Sequence, residues 1–180
     1  LKDKFLFYYY NALVINYSKL DPEKAITVLD KAKKNTAIQT LPIFGAFIYL
    51  NMGLIYYSQK KYKISAKQFS RLILQKDFLS LSLQFQLKIA IAELVIRYHL
   101  NQTDLIEKKI KKIRRDYKKT ISQSRRDGYM LIILNELIYC NNIRSNKIVQ
   151  AKIKEMKSIE LDDNYQALDI INYNDWVDDL

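Results

Sequence analysis

The stretch Tyr49–Phe69, YLNMGLIYYSQKKYKISAKQF, decides the architecture. Tyr49, Met52, Gly53 and Tyr56 recur at i, i+3, i+4 and i+7. After a short polar turn, Tyr62, Ser65, Ala66, Phe69 and Leu72 repeat the pattern. That period puts each set on one side of a helix, so the stretch reads as a helical hairpin.

Working outward, the same unit recurs with less regularity. In a first hairpin over about 3–34, Asp21 is placed to cap a helix whose first residue is Pro22. Ala25, Leu29 and Ala32 then alternate small and large on one face, which lets a second helix pack closely on the first. Together these features resemble the tetratricopeptide repeat (TPR) family, whose signature has an apolar residue before Gly, then Tyr, with small residues and Phe in the second helix. The resemblance is good over roughly the first 75 residues. It puts Tyr8, Tyr9, Ala12, Leu13 and Asn16 at the packing positions of the first helix, with Leu13 where the family has Gly. The offset between Ala25 and Ser65 exceeds the family's period of about 34 residues, and the polar linker Asn35–Pro42 takes up the surplus.

The opening stretch lies in a second hairpin over 43–75; the remaining hairpins, over 79–119 and 121–157, are assigned by periodicity, the last with its turn at Asn141-Asn142. Asp104 and Glu107 have the spacing of a capping box. The tail, 158–180, is acidic and predicts a last helix from Asp162, with Tyr165, Leu168, Ile171 and Tyr173 or Trp176 on its apolar side, capping the stack. The expected fold is all-α: antiparallel hairpins stacked as a right-handed TPR-like α-solenoid over 1–157, closed by that C-terminal helix. A different α-solenoid or an irregular bundle keeps the same helix count.

Composition agrees with an all-α chain. Only 3 Gly and 2 Pro occur among 180 residues, too few for a turn-rich β-sandwich or a Gly-loop nucleotide site. The single Cys140 excludes an internal disulfide and fits a reducing, cytoplasmic setting. The longest apolar window, Ile43–Tyr57, falls short of the roughly 20 residues of a bilayer span, so no transmembrane segment is expected. The chain opens at Leu1 inside a helical pattern and reads as a piece of something longer. Net charge is +11. No Lys or Arg follows Lys157, while Asp and Glu supply seven charges there, so the body holds the entire surplus and should attract acidic partners.

Stacked hairpins leave a concave surface lined by the first helix of each pair. The TPR resemblance implies a noncatalytic module that takes a peptide or helix there. The implied groove positions are Phe7, Tyr10, Asn11, Val14 and Tyr17, then Phe47, Leu50, Asn51, Leu54 and Tyr57. Family members that clamp a peptide carboxylate use Lys, Arg and Asn at such positions, and only Asn11 and Asn51 qualify here. The apolar remainder suits an amphipathic helix, an unidentified protein or peptide partner, or self-association. The plainer alternative makes Phe7, Tyr10, Phe47 and Leu50 ordinary core. A third gives the groove to the chain's own acidic tail, as a cap or a displaceable plug.

A second surface lies along 106–126. Ile106, Ile110, Ile113, Tyr117 and Ile121 form an apolar stripe, and Lys108, Lys109, Lys111, Lys112, Arg114, Arg115, Lys118 and Lys119 fan around it, extended by Arg125 and Arg126. This face is the alternative site, for a polyanion such as nucleic acid or an anionic surface, although no aromatic residue interleaves it for base stacking. One His and one Cys cannot assemble a typical zinc site, and no Gly-rich phosphate loop occurs. No cofactor, metal or catalytic residue is expected, and His99 reads as structural. Asn51 and Glu93 stand out as polar residues in apolar helices, available for a groove contact or an interhelical bond.

Overall fold

The computed structural model describes residues 2–41, 43–140, 145–159 and 169–180. Among these residues the secondary structure is helical, with eleven α-helices, one 3-10 segment and no strand. The chain divides into two compact units, 1–82 and 83–180. The acidic residues described after Lys157 belong to the second unit.

In the first unit, α1 (Lys2–Leu20) pairs with α2 (Pro22–Lys34), and α4 (Phe44–Ser58) pairs with α5 (Tyr62–Ile73). Asp21 Oδ1 accepts the Lys24 N–H at 3.0 Å, so the expected cap starts α2. The linker that was expected to be merely polar is partly ordered. Asn35 ends α2 and caps the single turn α3 (Thr36–Gln39), which buries Ile38 completely. α2 also packs on α4, and Val14, Leu29, Ile38, Phe47, Ile48 and Met52 share the core.

The α4/α5 hairpin depends on Gly53. A Cβ there would lie 2.6 Å from the Phe69 ring, and Ser65 Oγ donates to the Gly53 carbonyl at 2.7 Å. The two backbones approach because one residue lacks a side chain and its neighbour is small. α4 ends with Lys60 at φ 58, where Lys60 N–H bonds Tyr57 O and Lys61 N–H bonds Tyr56 O, each at 2.8 Å. This Schellman turn recurs after the helix Leu83–Tyr98, where Asn101 at φ 54 donates to Tyr98 O and Gln102 to Arg97 O.

In the second unit, α6 (Leu83–Tyr98) is buried along most of its length and packs on α7 (Thr103–Asp116) and α9 (Arg125–Leu137), while α9 pairs with α10 (Lys147–Lys157). The third hairpin therefore starts at Leu83, because Leu79 falls in the 3-10 segment Lys76–Ser80 of the first unit. The capping box is not formed, since Gln102 is the N-cap of α7 without a side-chain bond and Glu107 instead accepts from Lys111. The expected helix 106–126 is broken at Tyr117 and Ser124, which bracket the short α8 (Lys118–Gln123). Ser124 Oγ caps α9 through the Asp127 N–H.

Among the described residues the last helix is α11 (Tyr173–Asp178). The expected turn at Asn141-Asn142 and the expected apolar positions Tyr165 and Leu168 lie outside the described residues. Ile171, Tyr173, Trp176 and Val177 are buried. Tyr173 OH donates to Asp127 Oδ1 at 3.0 Å, and Trp176 Nε1 donates to His99 Nε2 at 3.1 Å. Packing inside the second unit thus occupies these residues.

Candidate functional site

The groove positions separate by burial. Val14 and Phe47 are 1% and 8% exposed and belong to the core. Phe7 meets Phe47 edge to face at 4.8 Å, and Phe7, Tyr10 and Tyr17 lean on that core. Asn11, Leu50, Asn51, Leu54 and Tyr57 are half-buried. Asn51 Nδ2 donates to Phe47 O at 2.8 Å within its own helix, so this donor is already used. The expectation for Val14 and Phe47 is corrected to core.

The open side of α1 is the opposite one. Phe5, Tyr8, Tyr9 and Ile15 are 65%, 62%, 59% and 56% exposed, with Ala12 and Asn16 exposed between them. Positions 5, 8, 9, 12, 15 and 16 follow helical spacing, so they form one continuous strip. Of the residues assigned to packing in this helix, only Leu13 packs. Periodicity missed this because α1 is apolar on nearly every side. The strip shares its face with Lys2, Lys4 and Lys19, and Asp3 is the one acid in the helix.

The cationic stripe also divides. Lys109 Nζ reaches back 2.8 Å to Glu93 Oε2, and Arg97 Nη2 holds the other oxygen of Glu93 at 2.9 Å. Glu93 is thus an interhelical ion-pair centre, 2% exposed at its side chain. Lys111 pairs with Glu107 at 2.6 Å, and that bond lowers the Glu107 pKa below its usual range. Arg115 pairs with its neighbour Asp116. Arg126 is buried and pairs with Asp169, so it does not extend the surface stripe. Lys108, Lys112, Arg114, Lys118 and Lys119 are exposed, with no carboxylate at ion-pair distance among the described residues.

Two of these cations converge. Arg114, Lys118 and Arg125 rim a groove of about 640 Å³, with Ile121, Gly128, Leu131 and Ile132 as its floor and Tyr129 at its side. Arg125 was expected on the same cationic face, whereas sequence spacing missed Tyr129, because the breaks at Tyr117 and Ser124 fold α9 back beside the end of α7. The Lys152 ammonium lies 5.1 Å from the centre of the Tyr129 ring.

Among the described residues, no cluster of three or more His, Cys, Asp or Glu is arranged to hold a metal ion, and no helix is long and apolar enough to cross a membrane. Cys140 is half-buried rather than enclosed. No protein-family model, curated protein or solved structure matches the chain.

Proposed function

We propose that this chain is a noncatalytic protein-interaction module that accepts an apolar-faced helix of a partner protein. The observation that carries the reading is the strip Phe5, Tyr8, Tyr9 and Ile15 on α1. Proteins that act alone rarely leave a contiguous apolar strip on a regular helix. Tyr supplies rigid contact area with a hydrogen-bonding tip. Lys2, Lys4 and Lys19 on the same face favour acidic residues flanking the partner's apolar stripe. The half-buried Leu50, Leu54 and Tyr57 offer a smaller apolar surface on α4.

The finer architecture we propose is TPR-like: pairs α1/α2 and α4/α5 in the first unit, α6/α7 and α9/α10 in the second, with the right-handed turn of that family within each. The close approach at Gly53 and the repeated turns at Lys60 and Asn101 support it. The single thiol supports a reducing, cytoplasmic setting.

The test compares the full chain with a Phe5→Asp/Tyr8→Asp variant as baits in lysate, at low and high salt with nuclease present. A protein retained at high salt by the first and lost by the second is the expected result. Equal retention by both refutes the α1 strip. Sedimentation of the two proteins alone separates a foreign partner from a second copy: a dimer that becomes monomeric in the variant assigns the strip to self-association.

A second reading follows from the exposed cations Lys108, Lys112, Arg114, Lys118 and Lys119, which have no carboxylate at ion-pair distance among the described residues. They favour a polyanion held with a steep salt dependence, whereas the apolar strip favours salt-tolerant binding.

A further inference from the structure

We infer that the groove between α7/α8 and α9 is a second, independent docking site, for a partner segment that presents carboxylates around one apolar anchor. Three features converge on this occupant. Arg114, Lys118 and Arg125 stand on the rim, and among the described residues no carboxylate lines the groove, although Glu155 bonds the Tyr129 hydroxyl at its side, so the three cations favour an acidic ligand there. The floor is apolar and the lining exposes more apolar than polar surface, so the ligand must also bury a hydrophobic group. Arg, Tyr and an aliphatic floor that a ligand would cover are the composition in which interface energy concentrates.

Gly128 makes the room. A Cβ built there would meet only Ile121 Cγ2, at 3.6 Å, so methyl-sized growth fits while a larger side chain projects into the groove. At about 640 Å³ the space holds a few side chains rather than an extended strand of nucleic acid. The aromatic ring at the site has the Lys152 ammonium near one face. Base stacking therefore has less to gain here than an aliphatic or aromatic peptide anchor does. Ser122 Oγ already donates to Lys119 O at 2.7 Å, which leaves the three cations as the specificity element.

The test uses the full chain and a phage-displayed random peptide library. Enriched clones are expected to carry Asp or Glu flanking an aliphatic or aromatic residue. They should bind an Arg114→Glu/Lys118→Glu/Arg125→Glu variant about 10-fold or more weakly. Gly128→Leu should weaken them as well, Gly128→Ala should not, and the Phe5→Asp/Tyr8→Asp variant should bind them unchanged. That last comparison keeps failure of this site distinct from failure of the α1 strip. Helicity and melting temperature matched to the parent show that the substituted proteins are folded.

No enrichment, clones without acidic residues, or clones that bind the triple variant equally would each overturn the proposal. So would labelled oligothymidine bound at the groove and lost in the triple variant, without acidic peptides, since that assigns the groove to a phosphate backbone.

Discussion

The Arg126 guanidinium lies 2.7 Å from Asp169 Oδ2, and this ion pair ties the first turn of α9 to the segment that leads into α11. Around it, Arg126 Nη1 donates to Met156 O, while Lys88 Nζ sits 3.1 Å from Asp127 Oδ1 and 3.5 Å from Asp169 Oδ1. Two cations face two carboxylates, so the cluster is neutral as a whole although each charge is buried. Such clusters contribute little net stability when intact and are costly to break, because the remaining charge loses its partner without regaining water.

Asp169→Ala should therefore destabilise the second unit by about 3–5 kcal/mol. Trp176, the one tryptophan, belongs to this unit and reports the loss as a lower denaturation midpoint in fluorescence. Deleting residues 169–180 should unfold the unit outright, since Tyr173 and Trp176 leave with the carboxylate. A truncated protein with unchanged helicity and melting would show that α11 is dispensable.

Gly53→Ala should lower stability even though alanine is the better helix former by about 1 kcal/mol. The new Cβ would lie 2.6 Å from the buried Phe69 ring, and overpacking of this kind costs about 1–3 kcal/mol. Adding Phe69→Leu should recover part of the loss, so chemical denaturation of the two single variants and the double variant should show nonadditivity. Strict additivity would mean that the two residues do not constrain each other.

Lys109→Glu should damage the fold, whereas Lys112→Glu should leave it intact. Lys109 neutralises the buried Glu93, while Lys112 is solvated and lacks a carboxylate partner among the described residues. Reversal at 109 puts two carboxylates together in a poorly solvated site. Thermal melts of the two variants give the answer, and equal melting temperatures would reject the distinction. Charge-reversal tests of polyanion binding should accordingly spare Lys109.

Alkali should weaken the second unit. Burial, reinforced by Asp127 and Asp169, pushes the Tyr173 phenol well above its ordinary value. The folded state then keeps a proton that the unfolded chain releases above about pH 10, so stability falls as pH rises beyond that point. Burial raises Tyr98 and Tyr117 as well, with the same sign. Tyr173→Phe should be less stable at neutral pH, having lost the bond to Asp127, and should lose less on going to alkaline pH. Denaturation midpoints across that range measure both effects, and parallel curves would contradict the assignment.

Much of the local structure was legible because its cause is local. Asp21-Pro22 starts α2 with its own side chain, Gly53 sits three and four residues from the aromatic positions of its helix, and Ile106, Ile110 and Ile113 fall on one face at helical spacing. Periodicity was uninformative for α1. A helix that is apolar all round does not say which side its neighbours cover, so Tyr8 and Tyr9 were placed inward when they face out. The basic run posed the same difficulty for charge. Lys109, Arg114 and Arg126 look alike in sequence, yet one neutralises Glu93, one rims a groove and one is buried against Asp169.

By itself the sequence determined that the described chain is helical, where the turn between α4 and α5 falls, and which residues could lie against which within one helix or one turn. Only the tertiary structure decided which face of α1 stays open, which cations pair with buried carboxylates and that the described end from Asp169 packs into the second unit. Those outcomes depend on partners such as Asp169 and Arg126, brought together by packing across segments that no short-range pattern connects.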